Sequence, residues 1–143
     1  MSLGTVDVAL KFAIDLEGMA AAFYETATTI TQSQELKSLF EALLIQGQSR
    51  IQTLIQLRRL IPSRIVKEAV SNFESSHYRP VTECPPDCPD SQLIELATNM
   101  EAKIQDFYET ASDKLGFIEE VPDAFDHLVE DHRLNRKRLQ TGS

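Results

Sequence analysis

The stretch Phe-Tyr-Glu-Thr-Ala occurs twice in the sequence, at residues 23–27 and again, letter for letter, at residues 107–111. In each copy a glutamate lies seven residues before the tyrosine, and the two pairs are Glu17 with Tyr24 and Glu101 with Tyr108. Seven residues span about two turns of an α-helix, so the carboxyl and the phenol of each copy share one helix face. The repeat therefore predicts two related helices, each with a glutamate and a tyrosine on the same side.

The similarity between the two copies continues on both sides of this stretch. Ala13, Leu16 and Ala20 correspond to Ala97, Met100 and Ile104, and after a shift of one residue Phe40, Glu41, Leu43 and Leu54 correspond to Phe125, Asp126, Leu128 and Leu139. The repeated unit is therefore a helix, a short turn and a second helix. A unit used twice is a duplicated hairpin and not a solenoid, which needs several shorter copies.

Apolar residues recur every three or four positions in four long segments, which is typical of amphipathic helices. These segments cover about residues 5–30, 34–61, 91–115 and 122–140. Short turns separate the first segment from the second and the third from the fourth, so each pair forms an antiparallel hairpin. We expect an all-α fold of one domain, residues 1–143, with hairpins at 5–61 and 91–140.

The connection between the two hairpins, residues 62–90, contains five of the six prolines. Nearly thirty residues are enough to travel the length of a bundle and to start the third helix at the opposite end. Within this crossover we expect one short helix, at about residues 63–73, and in the whole chain we expect no β-strand. The sequence therefore predicts a four-helix bundle made of two hairpins joined by a long crossover.

The composition narrows the classes of partner. A net charge of -8 and a pI near 4.8 argue against nucleic acid, because phosphate binding needs a basic surface. No segment reaches the ~20 apolar residues of a membrane span, and the chain does not start like a secretory signal. Two cysteines are too few for a secreted disulfide framework. We therefore expect a cytoplasmic protein with neither a membrane nor a nucleic acid as partner.

The duplicated hairpin, the long crossover and a glutamate seven residues before a tyrosine resemble the ferritin-like superfamily, and within it the rubrerythrin type. The resemblance covers nearly all of the chain. It implies a bundle whose core holds a dinuclear iron or manganese centre, with one glutamate from the first helix of each half and a Glu-x-x-His pair from the second. No cysteine pair follows the fourth helix, so we do not expect the rubredoxin module of true rubrerythrins.

Only part of the ligand set implied by this resemblance is present. Glu17 and Glu101 match the two first-helix ligands. In the family pattern, the second-helix glutamate and histidine follow the phenylalanine by seven and ten residues. The corresponding positions here hold Gly47 and Arg50 after Phe40, and His132 and Asn135 after Phe125. The resemblance therefore implies a degenerate di-metal site.

Arg50 decides how we interpret this site. A guanidinium stays protonated, repels a metal cation and can neutralise Glu17 or Glu101 by bidentate hydrogen bonding. Two buried carboxylates without a counter-charge would be costly, and a protonated His132 would add to that charge. We therefore expect a core without a cofactor, in which the tyrosine hydroxyls bind core carboxylates. Its members are Glu17, Tyr24, Arg50, Glu101, Tyr108, His132 and Asn135.

The alternative is a metal site at Glu17, Glu101 and His132. Two carboxylates and an imidazole are an acceptable ligand set for iron, manganese or zinc. With a short shift in register, Glu130 or Asp131 would join them. The chain would then be a rubrerythrin-type oxidoreductase or peroxidase with a rearranged centre.

The remaining cysteine and histidine residues leave further alternatives. Cys84, Cys88 and His77 provide three of the four ligands of a zinc site, and the cysteines alone could form a local disulfide. We expect two reduced thiols instead. His127, beside Asp126, is expected at the surface.

The preferred hypothesis for function is a non-enzymatic structural or interaction protein without catalytic residues. The second helix is rich in glutamine and would pair with another subunit to form a homodimer; these residues are Gln46, Gln48, Gln52 and Gln56. The third hypothesis is a binding protein whose core, opened at Gly47, admits a small ligand.

Overall fold

The structure, a computed structural model, describes residues 2–142 and is helical. Its α-helices are α1 (Val6–Ile30), α2 (Gln34–Leu60), α3 (Ser63–Val66), α4 (Asp90–Lys114) and α5 (Val121–Thr141). Two isolated β-bridges, Ser2 with Glu74 and Thr5 with Ala69, are the only extended pairings within residues 2–142. The predicted all-α class is therefore confirmed. None of the helices described is both long and apolar enough to cross a membrane.

The four long helices form two hairpins, α1 with α2 and α4 with α5. Local capping explains where the first hairpin begins and turns. The hydroxyl of Thr5 accepts the N–H of Val8 at the start of α1, and the hydroxyl of Ser33 accepts the N–H of Leu36 at the start of α2. Because so few residues separate the helices within each hairpin, the two members run antiparallel.

The two hairpins meet where α1 packs against α4 and α2 against α5. At one end, Thr31 after α1 donates a hydrogen bond to Asp90 Oδ1 at the start of α4, at 2.7 Å. Nearer the other end, the rings of Phe12 in α1 and Phe107 in α4 lie 5.3 Å apart, edge to face. α1 and α4 therefore run antiparallel, and this brings the two copies of the repeat face to face.

The crossover runs alongside the contact between α1 and α4. Its first part pairs with the N-terminal residues: Leu3 N–H donates to the Phe73 carbonyl at 2.7 Å, and Val70 N–H donates to the Gly4 carbonyl at 3.0 Å. The Phe73 ring then stacks on Phe107, with centroids 5.3 Å apart. The crossover thus starts beside the N-terminus of α1 and delivers the chain to the opposite end, where α4 begins.

The short helix in the crossover ends earlier than expected. α3 stops at Val66, whereas the apolar pattern favoured a helix over residues 63–73. Val6 N–H donates to the Glu68 carbonyl at 3.0 Å, and the following bridge between Thr5 and Ala69 requires extended backbone. The prediction was wrong because a contact with the N-terminal segment, which local periodicity does not report, determines the backbone here.

Polar residues interrupt the buried faces of the second helix of each hairpin. In α5 the buried residues are Val121, Phe125, Leu128, His132, Asn135 and Leu139, at alternating spacings of four and three. In α2, Gly47 and Arg50 are buried between Leu43 and Leu54 in the same way. These positions face the interior of the bundle, so His132, Asn135 and Arg50 must find their partners there.

Candidate functional site

The side chains predicted to form a polar core lie together in one hydrogen-bonded cluster. Each of them is at most 6% exposed. They come from all four long helices: Glu17 and Tyr24 from α1, Arg50 from α2, Glu101 and Tyr108 from α4, and His132 and Asn135 from α5. We refer to this cluster as the core network.

The two tyrosines bind the glutamates of opposite halves. Tyr24 Oη donates to Glu101 Oε2 at 2.7 Å, and Tyr108 Oη donates to Glu17 Oε2 at the same distance. Because α1 and α4 run antiparallel, the tyrosine of one copy lies opposite the glutamate of the other. The sequence placed each glutamate and tyrosine on one face, but it did not indicate this exchange. Burial and the facing carboxylates raise the pKa of both tyrosines well above the usual value, so both remain neutral donors.

His132 bridges the two glutamates. Its Nδ1 lies 2.5 Å from Glu101 Oε1 and its Nε2 lies 2.8 Å from Glu17 Oε2, so both ring nitrogens face carboxylate oxygens. Only the doubly protonated imidazolium donates to both. Burial by itself would lower the pKa of His132, but the negative charges of Glu17 and Glu101 raise it to about 10. The ring also stacks on Tyr108, with centroids 5.6 Å apart.

Glu17 and Glu101 each have three hydrogen-bond partners in the core network. Burial would raise the pKa of Glu17, but the charges of His132 and Arg50, with hydrogen bonds from His132 and Tyr108, lower the pKa to about 2. Glu101 accepts from His132 and Tyr24, and Asn135 Nδ2 donates to its Oε1 at 3.3 Å. The two carboxylates are thus matched by one imidazolium and one guanidinium.

Arg50 approaches Glu17 through a single nitrogen. Its Nε donates to Glu17 Oε1 at 3.0 Å. Nη1 lies 3.9 Å from Asp131 Oδ2, and Nη2 has no hydrogen-bond partner in the part of the chain that the structure describes. The expected bidentate pairing is therefore wrong. The reason is that Oε2 of Glu17 already accepts from His132 and Tyr108, so the guanidinium cannot donate to both carboxylate oxygens of Glu17.

The core is not open at Gly47, where the sequence suggested a ligand cavity. A Cβ added to Gly47 would lie 3.8 Å from the Cβ of Ala21, which is ordinary van der Waals contact. The helices α1 and α2 therefore leave room here for a methyl group, but not for a ligand. A cleft does lie one helical turn away, beside Arg50.

The alternative metal ligands Glu17, Glu101 and His132 do lie together, but their arrangement does not fit a shared metal ion. The two ring nitrogens face different carboxylates, whereas a metal would need a deprotonated nitrogen and carboxylate oxygens directed at one point. Within residues 2–142, no group of three His, Cys, Asp or Glu side chains is arranged to hold an ion. A dinuclear centre fits less well still, because Gly47 and Arg50 occupy two of the ligand positions that the resemblance implies.

The two acidic neighbours considered as extra ligands lie outside the core network. Glu130 pairs with Arg133 on the surface of α5, with oxygen–nitrogen distances of 2.6 and 2.9 Å. The side chain of Asp131 is 51% exposed and faces Arg50. A shift of register that would bring either carboxylate to His132 is not seen.

The cysteine and histidine residues do not assemble a zinc site. Cys84 and Cys88 are free thiols. The carbonyl of His77 accepts from Lys103 Nζ at 3.3 Å, and Lys103 lies about 20 Å along α4 from Asp90, which follows the cysteines. His127 is exposed, as the sequence suggested, and its Nδ1 lies 2.7 Å from the Asp123 carbonyl.

No family model, curated protein or solved structure matches this chain. The ferritin-like resemblance therefore rests on the repeated stretch, the spacing of the glutamates and tyrosines, and the crossover. The geometry of the core network is independent of that resemblance, since it follows from the contacts of the side chains alone.

Proposed function

We propose that this protein is a ferritin-like, rubrerythrin-type bundle that has lost its dinuclear metal centre and acts as a non-enzymatic structural or interaction protein. The observation that carries the proposal is the 3.0 Å hydrogen bond between Arg50 Nε and Glu17 Oε1. Arg50 stands where the family pattern has a histidine ligand. A guanidinium is charged at every working pH, so a permanent cation holds the carboxylate that a metal ion would bind.

The charges of the core network support this proposal. An uncompensated buried ion costs several kcal/mol, and here Arg50 and His132 balance Glu17 and Glu101. A metal ion would have to displace the proton of His132, whose pKa is about 10. At about 1.4 kcal/mol per pKa unit, removing that proton near neutral pH costs several kcal/mol. The ion would also be repelled by Arg50. The core network and a metal ion are therefore competing occupants of one site.

The burial of the core network favours a structural role over catalysis. Glu17, Glu101 and His132 have no exposed surface, so a substrate could not touch them without an opening of the bundle. Their polar atoms are engaged by neighbours from other helices. Such a network fixes the register of the four helices against one another, which is a recognised use of buried polar groups.

A rubrerythrin-type oxidoreductase remains the second candidate. The observation in its favour is that His132 lies within 2.8 Å of both Glu17 and Glu101 in the core. Glu17, Glu101 and His132 would have to turn toward one point to hold iron, manganese or zinc, which would then supply redox or Lewis-acid chemistry. The two candidates differ in whether the purified protein carries metal.

We further propose that the interaction partner is a second copy of the chain, and that α2 provides the contact. Gln48, Gln52 and Gln56 are exposed, and they share one face of α2 with Ile45, which is 65% exposed. A face rich in amides with few charges is easier to desolvate than a charged one. Sedimentation velocity should give a dimer for the parent chain and a monomer for Ile45→Glu.

The proposed function is tested by rebuilding the lost ligands. The variant Gly47→Glu/Arg50→His/His132→Glu/Asn135→His restores both Glu-x-x-His pairs of the family pattern. We expect it to bind about two manganese or iron ions per chain and to melt at a higher temperature when they are added, whereas the parent does not. A folded variant that gains no metal would contradict the ferritin-like register of these positions.

A matched control keeps the guanidinium. The variant Gly47→Glu/His132→Glu/Asn135→His has the added carboxylates but retains Arg50, and we expect no metal-dependent rise in its melting temperature. Metal binding to this control with the same stoichiometry would show that Arg50 does not exclude the ion. Far-ultraviolet circular dichroism of both variants establishes that the helices are intact.

A further inference from the structure

A cleft of about 620 Å³ lies between α2 and α5, on the side of Arg50 away from the centre of the bundle. Its floor contains Arg50 and Asn135, which are 6% and 3% exposed. Ser49, Asp131 and Arg138 line it closer to the surface. The volume is in the range of pockets that take small organic molecules. The cleft is thus separate from the fully enclosed carboxylates of the core network, although both share Arg50.

Arg50 has hydrogen-bonding capacity that the protein leaves unused. Only Nε donates to a protein oxygen at normal distance, and it does so to Glu17. The 3.9 Å between Nη1 and Asp131 Oδ2 is too long for a hydrogen bond, and Nη2 finds no acceptor among the residues described. A buried charged donor without an acceptor is destabilising. On the side of Asp131, which lines the cleft, Nη1 has only this long ion pair, so it lacks an oxygen at hydrogen-bond distance.

A carboxylate complements this arrangement best. One of its oxygens can accept a charge-assisted hydrogen bond from Nη1, and Arg138 adds a second positive charge to the lining of the cleft. Apolar side chains on α5, Leu128 and Leu134, offer a surface for a hydrocarbon body. The carboxylate of Asp131 faces the same space, and its charge opposes a ligand with two negative charges more than a ligand with one.

We propose that this cleft binds a small monocarboxylate, with the carboxylate hydrogen-bonded to Nη1 of Arg50 and the apolar part against Leu128 and Leu134. Asp131, which is half exposed, turns toward solvent when the ligand enters. The proposal depends only on where Arg50 lies between α2 and α5. It stands whether or not the chain descends from a metal-binding bundle, and it gives the bundle a binding role.

The test is a nuclear magnetic resonance titration of the full chain with butyrate, using butyramide and inorganic phosphate as comparison ligands. We expect saturable amide shifts around Ser49 and Asn135 with butyrate, and weaker or no shifts at these positions with the other two compounds. Butyramide has the same apolar body without the charge, and phosphate has charge without the apolar body. Comparing the three compounds therefore distinguishes the contribution of the charge from that of the apolar body.

Variants at the edge of the cleft test the charges without disturbing the core. Asp131→Asn should tighten butyrate binding about fivefold, and Arg138→Gln should weaken it by a similar factor, because each changes one screened charge near the ligand. Arg133→Gln is the matched control, since Arg133 pairs with Glu130 on the same helix. The Arg133→Gln variant should bind butyrate with the same affinity as the parent.

Four results would overturn the proposal. They are the absence of saturable shifts in the cleft with butyrate, equal binding of butyramide, tighter binding of phosphate, and an unchanged affinity in both Asp131→Asn and Arg138→Gln. A parent that binds butyrate selectively, with affinities that move in opposite directions in these two variants, supports it.

Discussion

Arg50 on α2 donates its Nε–H to Oε1 of Glu17 on α1 across 3.0 Å, with both side chains enclosed by the four long helices. This pair joins the two helices of the first hairpin at the level where His132 from the second hairpin reaches the same carboxylate. It therefore links a local contact within one hairpin to the packing of both hairpins.

Removal of the guanidinium should destabilise the fold strongly. In Arg50→Ala the carboxylate of Glu17 stays buried with less compensation, and we expect the free energy of unfolding to fall by about 3–5 kcal/mol. Arg58→Ala is the matched control, because Arg58 is on the same helix and pairs with Asp7 of α1, but its side chain is 40% exposed. An exposed pair contributes at most about 1 kcal/mol. Urea unfolding measures both, and equal losses would contradict the assigned role of Arg50.

The pH dependence of stability follows from the two shifted pKa values. The pKa of Glu17 falls from 4.5 to about 2, so its contribution is present above pH 4.5 and is lost as the pH falls toward 2. The pKa of His132 rises from 6.5 to about 10, so its contribution is complete below pH 6.5 and is lost as the pH rises toward 10. Stability should therefore be greatest between about pH 4.5 and 6.5.

His132→Gln tests the alkaline side of this profile. The variant keeps hydrogen-bonding groups but carries no charge, so it should be less stable at pH 6 and should lose less stability between pH 6.5 and 10 than the parent. His127→Gln changes an exposed histidine on the same helix and should follow the parent curve. Melting temperatures at a series of pH values provide the test. Equal slopes of melting temperature against pH for the parent and His132→Gln would count against an imidazolium in the core.

The exchanged tyrosine–glutamate contacts predict two similar losses. Tyr24→Phe and Tyr108→Phe each remove one hydrogen bond to a buried carboxylate, which should lower the free energy of unfolding by about 1.5–3 kcal/mol. Tyr78→Phe is the control, since that ring packs on Phe73 and Phe107. We expect a change within about 0.5 kcal/mol there. A loss at Tyr78 as large as at the core tyrosines would mean that the hydroxyl–carboxylate bonds contribute little.

The sequence was informative where the signal was periodic and local. The three- and four-residue spacing of apolar side chains predicted the long helices, and the repeat placed Glu17 and Glu101 at equivalent positions. It did not show that Tyr24 binds Glu101, because that exchange depends on the antiparallel packing of α1 and α4. Nor did it show that Arg50 uses one nitrogen on Glu17, since this follows from competition for Oε2 in three dimensions.

Gly47 should tolerate a methyl group. Glycine in a helix interior is less favourable than alanine by about 1 kcal/mol, and the added Cβ would meet Ala21 at an ordinary 3.8 Å. Gly47→Ala should therefore raise the free energy of unfolding by about that amount. Gly18→Ala, at a helical position with open space around it, should give a similar gain. Destabilisation by Gly47→Ala alone would show that the contact between α1 and α2 has no room for a methyl group.

The central claim is that Arg50 and His132 hold the positive charge that metal ions hold in ferritin-like bundles. The most direct measurement is elemental analysis of the untagged protein, purified without chelators from cells supplied with iron, manganese and zinc. We expect far less than one equivalent of any of these metals per chain. A reproducible content of about one or two equivalents, removed by mutation of Glu17 and Glu101 to glutamine, would contradict the claim.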